Sequence, residues 1–406
     1  MTIHPSVLKQ SGGSRLLPFV LIAACLTGCR ADKNRPAQDK KAIPPVPSSS
    51  IRAEQQPRSC SIDQLHWSTE QVAETLGQYR VIPALTMDKA GHAHISYSMD
   101  SRGPNRSVLM YATNASGLWA TTVVDSKGSV GEHNAIVVAD DGKVHISYWD
   151  RTHNALKHAT GTGNSWKTSS VDTAGNVGFF TSIAAGKNGS LSISYHSETQ
   201  HSLKVASLAG EEWKLATVDN NGMPGFGTSI AFAQDGGLWL AEVNLKQKAL
   251  SCFVRAGDGS WREMKLSSEG DFSAPDLKMG PSDQAHIAYH DKQGLFVASL
   301  SNGTWNKEPI ALGPRIGAAR IAVAPNGAIH TSFMDFSAGV LKYANNSSGQ
   351  WQSGDVVVSK DGAGPGAIAI AIGPNGTVQI AYSYEDHGKK SLRFATGSCE
   401  ANAPAK

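Results

Sequence analysis

Between Gly131 and Asp172 apolar and polar residues alternate in four short runs. AIVVA leads into Asp141-Gly142, VHISYW follows, then ALKHA, a Gly-Asn-Ser turn, and WKTSSV. A period of two, bounded by Asp-Gly and Gly/Asn/Ser clusters, predicts a four-stranded antiparallel meander. A lone meander leaves its faces uncovered, so it needs neighbours.

The rest of the chain supplies them. Trp119, Trp166, Trp213, Trp261, Trp305 and Trp351 recur every 44 to 48 residues, with Trp67 upstream. Gly91, Gly142, Gly189, Gly236, Gly327 and Gly376 mark the first turn of successive units, and Pro281-Ser282-Asp283 stands in for it once. The second strand reads HISY at His94 and His145, SISY at Ser192, LWLAE at Leu238, HIAY at His286, HTSF at His330 and QIAY at Gln379. A four-strand unit at this period is a propeller blade. Units starting near Tyr79, Gly131, Gly178, Gly225, Phe272, Gly317 and Pro365 make seven. The last stops after three strands, at Gly397. Its missing Trp-bearing strand appears at the other end, as His66 to Val72. The expected fold is therefore an all-β seven-bladed propeller of four-stranded antiparallel blades. Its ring closes when the N-terminal strand joins the last blade, which removes exposed edges.

Charge changes the picture only at the N-terminus. The formal net charge is +3, but Lys9, Arg15 and a basic stretch over 30–59 leave the remaining body slightly acidic. Nucleic-acid binding needs clustered Lys/Arg and is not expected. Lys9 and Arg15 precede the apolar run Leu16–Ala24, the layout of a secretory signal too short to span a bilayer. Leu26-Thr27-Gly28-Cys29 resembles the lipobox of bacterial lipoproteins, which implies acylation of Cys29 and a membrane anchor. The absence of Asp after that cysteine implies outer-membrane sorting, on either side of that membrane. The expected organisation is a signal peptide over 1–28, a lipidated Cys29 with a Pro-rich disordered tether over 29–59, the propeller over 60–399 and a short disordered tail over 400–406. In an oxidising compartment, Cys60 at the start of the body and Cys399 at its end are expected to form a disulfide locking the ring. Cys25 falls in the leader, and Cys252 reads as a buried apolar residue.

The recurring text H-I-S-Y-x-D, L-K-x-A-T, G-x-W and V-D resembles the repeats of secreted bacterial propellers in the broad sialidase-like group, with BNR-type repeats, across residues 61–399. The resemblance implies the fold and no activity. The Ser-x-Asp-x-Gly-x-Thr-Trp box is absent, and neither an arginine triad nor a Tyr/Glu pair can be placed.

Long, variable loops leave one face of the disc, which makes it the default binding surface. Asp100, Asp150, Asp291 and Asp335 recur at second-strand exits, and capping of their own turns explains them better than Ca²⁺. His94, His145, His286 and His330 recur on separate blades and read as scaffold; no metal and no cofactor are expected. Departures from the repeat are better candidates. The axial column reads Ala84, Ala135, Ser182, Ser229, Asp276, Arg320 and Ala369. Asp276 and Arg320 are expected to pair across neighbouring blades, as a structural ion pair or as a polar ligand contact. Arg80, His133, Trp149, Phe179, Phe180, Phe226 and Arg315 are placed around the channel mouth, where the aromatics stack on a ligand or plug the channel. Arg102, Arg151, His153, His196, Glu198, His201, Tyr384 and His387 add polar groups on the outer loops.

No GxSxG, HExxH, P-loop or dinucleotide fingerprint stands in a fitting context. These readings favour a non-enzymatic, membrane-tethered monomer that engages a protein or glycan on its loop-rich face. The alternative is an enzyme acting on a glycan or other cell-surface polymer at the channel mouth.

Overall fold

The computed structural model describes residues 61–75, 81–100, 106–268, 270, 272–317 and 319–399. The expected leader, the Cys29 anchor, the tether, Cys60, Arg80, Arg102 and the 400–406 tail lie outside the described residues.

Seven four-stranded antiparallel sheets form the blades of a β-propeller. The closing strand β1 (Leu65–Thr75) comes first in the chain. Blade 1 holds β2 (Ala84–Met87), β3 (Ala93–Asp100), β4 (Ser107–Thr113) and β5 (Ala120–Asp125). Blade 2 holds β6 (Val130–Val138), β7 (Val144–Asp150), β8 (Ala155–Thr162) and β9 (Ser165–Asp172). Blade 3 holds β10 (Val177–Ala185), β11 (Leu191–Ser197), β12 (Ser202–Ala209) and β13 (Glu212–Asp219). Blade 4 holds β14 (Phe226–Phe232), β15 (Leu238–Asn244), β16 (Ala249–Arg255) and β17 (Trp261–Ser267). Blade 5 holds β18 (Asp276–Met279), β19 (Ala285–Asp291), β20 (Gly294–Ser301) and β21 (Thr304–Leu312). Blade 6 holds β22 (Arg320–Val323), β23 (Ile329–Asp335), β24 (Val340–Asn345) and β25 (Gln352–Val358). Blade 7 holds β26 (Gly364–Ile372), β27 (Val378–Asp386) and β28 (Lys389–Cys399), and β1 completes it. β1 runs antiparallel to β28 from Leu65 opposite Cys399 to Thr75 opposite Lys390, so the ring closes as the repeat count predicts.

Cores form between blades. The fourth residue of each second-strand motif fills them: Tyr97, Tyr148, Tyr195, Tyr289, Phe333 and Tyr382 are all buried. The marker tryptophans reach back to the third strand of the preceding blade. Trp166 meets Tyr111 at 4.9 Å between ring centroids, Trp119 meets Phe394 at 5.0 Å, and Trp67 meets Tyr343 at 5.4 Å. Trp67 thus does in blade 7 what its counterparts do elsewhere.

The repeated V-D and L-K texts join blades through charge. Tyr195 donates to Asp172 Oδ2 at 2.7 Å and Lys204 Nζ reaches the same oxygen at 2.7 Å, linking blade 3 to the end of β9. Tyr148 and Lys157 grip Asp125 likewise. Burial alone would raise the Asp172 pKa; the lysine and the phenol more than offset it and hold the carboxylate below its usual range.

The strand histidines are scaffold. His94 bonds the Tyr111 hydroxyl, His145 the His158 ring, His286 the Ser299 hydroxyl and His330 the Tyr343 hydroxyl, each across to a third strand. Burial pushes His286 and His330 down to about 4. Asp150, Asp291 and Asp335 accept backbone N–H groups two or three residues on, capping their own turns. Cys252 is buried and free. Cys399 is not a free thiol; its expected partner Cys60 falls outside the described residues.

Candidate functional site

The channel mouth is built by a distortion of the innermost strands. In β6 the pairing runs from Glu132 opposite Trp149 to Ala135 opposite Ser147, so the strand carries extra residues there. β10 slips likewise between Phe179 and Ser182, and β14 between Phe226 and Ser229. Bulges of this kind redirect side chains near sites. The residue at the apex is His133 in blade 2 (φ 52°), Phe180 in blade 3 (φ 51°) and Gly227 in blade 4 (φ 71°). For His and Phe this left-handed backbone costs roughly 1 kcal/mol or more each.

Hydrogen bonds from the next blade hold that conformation. Thr181 Oγ1 donates to the His133 carbonyl at 2.9 Å, and Thr228 Oγ1 to the Phe180 carbonyl at 2.8 Å. Each threonine hydroxyl also meets the serine of the preceding blade's second-strand motif: Ser147 with Thr181 at 2.6 Å, Ser194 with Thr228 at 2.7 Å. Asn134 stands in the same place between blades 1 and 2, accepting from Ser96 Oγ and donating to the Ile82 carbonyl. These stitching residues escaped the sequence reading. Their only trace was the recurring serine of the HISY text.

The bulges bring the expected aromatics together. His133 lies 4.7 Å from Phe180, 5.7 Å from Phe179 and 6.0 Å from Trp149, between ring centroids. Trp149 and Phe179 are 4.3 Å apart, and Phe180 and Phe226 5.4 Å. His196, placed by sequence on the outer loops, is instead fully buried and completes the row at 4.7 Å from Phe226. Its Nδ1 faces the Pro224 carbonyl at 2.7 Å. Burial drives the His133 pKa down to about 4, so its imidazole is neutral at physiological pH. The buried Trp149 Nε1 has no hydrogen-bond partner among the described residues.

Of this cluster, His133 and Phe180 line an axial cavity of about 360 Å³, whose wall also includes Ile82, Gly227, Ala274, Asp276, Lys278 and Arg320. Asp276 and Arg320 share this cavity but are not paired. Asp276 Oδ1 takes Lys278 Nζ at 2.7 Å and Oδ2 accepts the Ile321 N–H at 2.8 Å. Arg320 donates to the Ala319 carbonyl at 3.0 Å. The expected cross-blade ion pair gives way because a lysine two residues along the same strand is nearer, and because Asp276 serves as a stitch. Ser182 and Ser229 accept amides of the next inner strand, from Ile230 and Leu277, in the same way.

A second cavity of about 480 Å³ opens beside the first, between blades 6, 7 and 1. Ile82 and Arg320 line both. Its walls are mostly apolar, with Val81, Met334, Phe336, Pro365 and Ile368, and its polar groups are Arg320, Ser383, Glu385 and Lys390. Tyr384 borders it with the Arg393 guanidinium 4.0 Å from its ring centroid. Arg315 is exposed just outside, its carbonyl bonded by the Phe336 N–H. The sequence reading missed this cavity, which is made by small residues (Gly317, Gly364, Gly366, Ala367) that carry no chemistry of their own.

Blade 4 departs from the others a few residues from the aromatic row. Glu242 occupies the position filled by tyrosine in blades 2 and 3, and Ser251 the position of their lysine. Glu242 is buried, and its Oε2 accepts the Gly225 N–H at 2.7 Å. Burial, reinforced by Asp219 and Glu263, raises its pKa to about 8 against the opposing amide bond. Among the described residues no group of three or more His, Cys, Asp and Glu is placed to hold a metal ion.

No protein-family model and no curated protein sequence matches the chain. Solved structures do. A protein of unknown function from Dyadobacter fermentans superposes with a TM-score of 0.51 at 9% identity, covering 82% of this chain and 99% of its own. A triple arginine-to-alanine variant of AofleA from Arthrobotrys oligospora gives 0.50 at 14%, covering 73% and 91%. Sialidase-like propellers are also among the neighbours, such as a leech intramolecular trans-sialidase at 0.46 and 12%, covering 81% and 70%. At these identities the likeness is one of fold.

Proposed function

We propose that this seven-bladed propeller is a non-enzymatic binding protein that holds a protein or glycan partner at the mouth of its channel, on the face carrying the long loops. One observation carries the reading. The mouth combines a row of buried and half-buried aromatic rings with two adjoining cavities, while the strongly shifted titratable groups other than His133 sit between blades on structural partners. General acid–base chemistry needs two or three titratable groups converging on one reacting atom. Along the axial cavity Asp276 is already engaged twice, and His133 is a single neutral imidazole among rings. Aromatic surfaces with a few polar groups are what recognition requires. The strained backbone at His133 and Phe180 supports a site there, since such strain persists where function needs it.

The Cys29 anchor would hold the propeller at the outer membrane as a monomer, and a Cys60–Cys399 bridge would lock β1 onto blade 7. Affinity capture from an envelope extract, alongside a glycan array, tests the binding reading. A ligand retained by the native protein and lost on Phe179→Ala plus Phe180→Ala is the expected result. Retention unchanged by that pair, or turnover of an arrayed glycan, would overturn it.

A further inference from the structure

We infer that the cavity between blades 6, 7 and 1 receives a carboxylate carried on an apolar body, such as the carboxy-terminal residue of a peptide, with Arg320 as its counter-ion. This deepens the binding reading above and rests on it. Arg320 is half-buried where the two cavities meet. A guanidinium carries five N–H donors. One Arg320 bond goes to the Ala319 carbonyl, and among the described residues no carboxylate pairs with it. The nearest acid in the axial cavity, Asp276, is occupied by Lys278 and by the Ile321 amide. Glu385, the acid lining this cavity, faces Lys390 at 3.8 Å. A guanidinium whose neighbouring acids are engaged by lysines is poorly compensated, and its planar fork matches a carboxylate with two parallel bonds.

The rest of the cavity selects what carries that carboxylate. Val81, Ile82, Met334, the half-exposed Phe336, Pro365 and Ile368 present apolar surface, which suits a hydrocarbon or aromatic side chain better than a ring of hydroxyls. The volume of about 480 Å³ is within the range of small-ligand pockets. Two glycines leave no room for side chains along its wall. A Cβ on Gly366 would stand 2.7 Å from Ser383 Oγ and one on Gly317 2.7 Å from the Phe336 ring. The Ser383 hydroxyl accepts the Ala367 N–H at 2.8 Å and keeps its own proton to donate. At the rim Glu385, half exposed and 3.8 Å from Lys390, offers an acceptor to a preceding peptide unit. A chain terminus and a free acid share the recognised chemistry, and the experiment separates them.

The test titrates the full chain with fluorescent hexapeptides ending in Leu or Phe, each with a free carboxylate and as the carboxamide, and with N-acetyl-leucine and decanoate as free acids. Free-carboxylate peptides are expected to bind at least tenfold more tightly than their amides. Arg320→Met should erase that difference, and Arg320→Lys should restore part of it. Arg262→Ala, on the exposed outer strand of blade 4, should leave it intact. Decanoate or N-acetyl-leucine matching the peptides would assign the site to free acids; peptides alone would assign it to chain ends. Equal affinity for acids and amides, no binding by any probe, or undiminished binding by a folded Arg320→Met protein would each overturn the inference. If a captured partner is retained equally by Arg320→Met, the binding reading stands and this one falls. Thermal melting confirms folding of each variant, since Arg320 contributes a single backbone bond.

Discussion

Replacing Glu242 by Gln would remove one ionisable proton from the junction of blades 3 and 4 and keep an oxygen for the Gly225 N–H. The carboxyl is buried, and the acids facing it, Asp219 and Glu263, add to burial in favouring its neutral form. In the folded protein its pKa is about 8, against 4.5 as an ordinary glutamate. Below pH 4.5 the side chain is protonated in both folded and unfolded states and contributes no pH dependence. Between 4.5 and 8 the folded state holds a proton that the unfolded state has released. Stability is therefore fully present below 4.5 and is lost as pH rises toward 8, by about 1.4 kcal/mol per pH unit and roughly 5 kcal/mol in all. Gln cannot ionise and escapes that loss. Urea unfolding of native and Glu242→Gln proteins at pH 5, 6, 7 and 8 measures it. Other titrating groups cancel in the difference between the two proteins. The variant should gain on the native protein across the series, by about 2.5 kcal/mol between pH 5 and 7 and about 1 kcal/mol more by pH 8. A difference that stays constant with pH would show that Glu242 ionises normally in the fold and would refute the reasoning.

Tyr195→Phe should cost about 2 kcal/mol in urea unfolding, the worth of a hydrogen bond to a buried carboxylate, because Asp172 would retain only Lys204 and a turn amide; an unchanged midpoint would remove the inter-blade role assigned to the V-D and L-K texts. Gly178→Ala should lower the melting temperature markedly. Its φ of 101° is hostile to a side chain and the new Cβ would lie 2.8 Å from Leu156 Cα, a penalty of roughly 2 kcal/mol or more. An equally stable variant would contradict the close approach of β10 to blade 2. Non-reducing peptide mapping should recover Cys60 and Cys399 in one linked fragment, and finding a free Cys60 thiol would discard the lock. If the bridge forms, it spans a loop of over 300 residues, worth about 5 kcal/mol in the chain-entropy account; reduction should lower the unfolding midpoint and leave secondary structure in place.

The architecture was legible in the sequence because each blade is a local object. A period of two within strands, a glycine (once an Asp) in the first turn and one marker tryptophan per blade are written within 40 to 50 residues of chain. Even the substitution at the fifth blade's turn was visible: Asp283 takes the positive φ (57°) that glycine takes elsewhere. The closing strand could be counted, since a blade one strand short and a surplus strand at the other end have one solution. The scaffold roles of His94, His145, Asp150 and Asp335 followed from repetition, because a residue needed in every blade serves the fold.

Contacts between blades had to wait for the tertiary structure. The aromatic row joins residues about 47 positions apart, and the sequence placed His133, Trp149, Phe179, Phe180 and Phe226 near one another without showing that bulges would press them into contact. The sequence reading placed His196 on the outer loops, yet strand alternation turns it inward between Phe179 and Phe226. Asp276 and Arg320 were matched by charge and by their shared column. In three dimensions an inner strand leaves backbone amides unpaired along its axial edge, and the Ile321 amide and Lys278 reach the carboxylate first. That leaves Arg320 without a countercharge, and no periodicity announces it. Glu242 lies between the two cases. Its letter stood in view where LWLAE replaces HISY, but only the position of Asp219, Glu263 and Gly225 around it makes that letter a buried acid. Sequence determined the repeating unit, because strands and turns are set by neighbours a few residues away. The tertiary structure decided the site, because the ring brings side chains from separate repeats to one axis, where burial and the nearest partner set their chemistry.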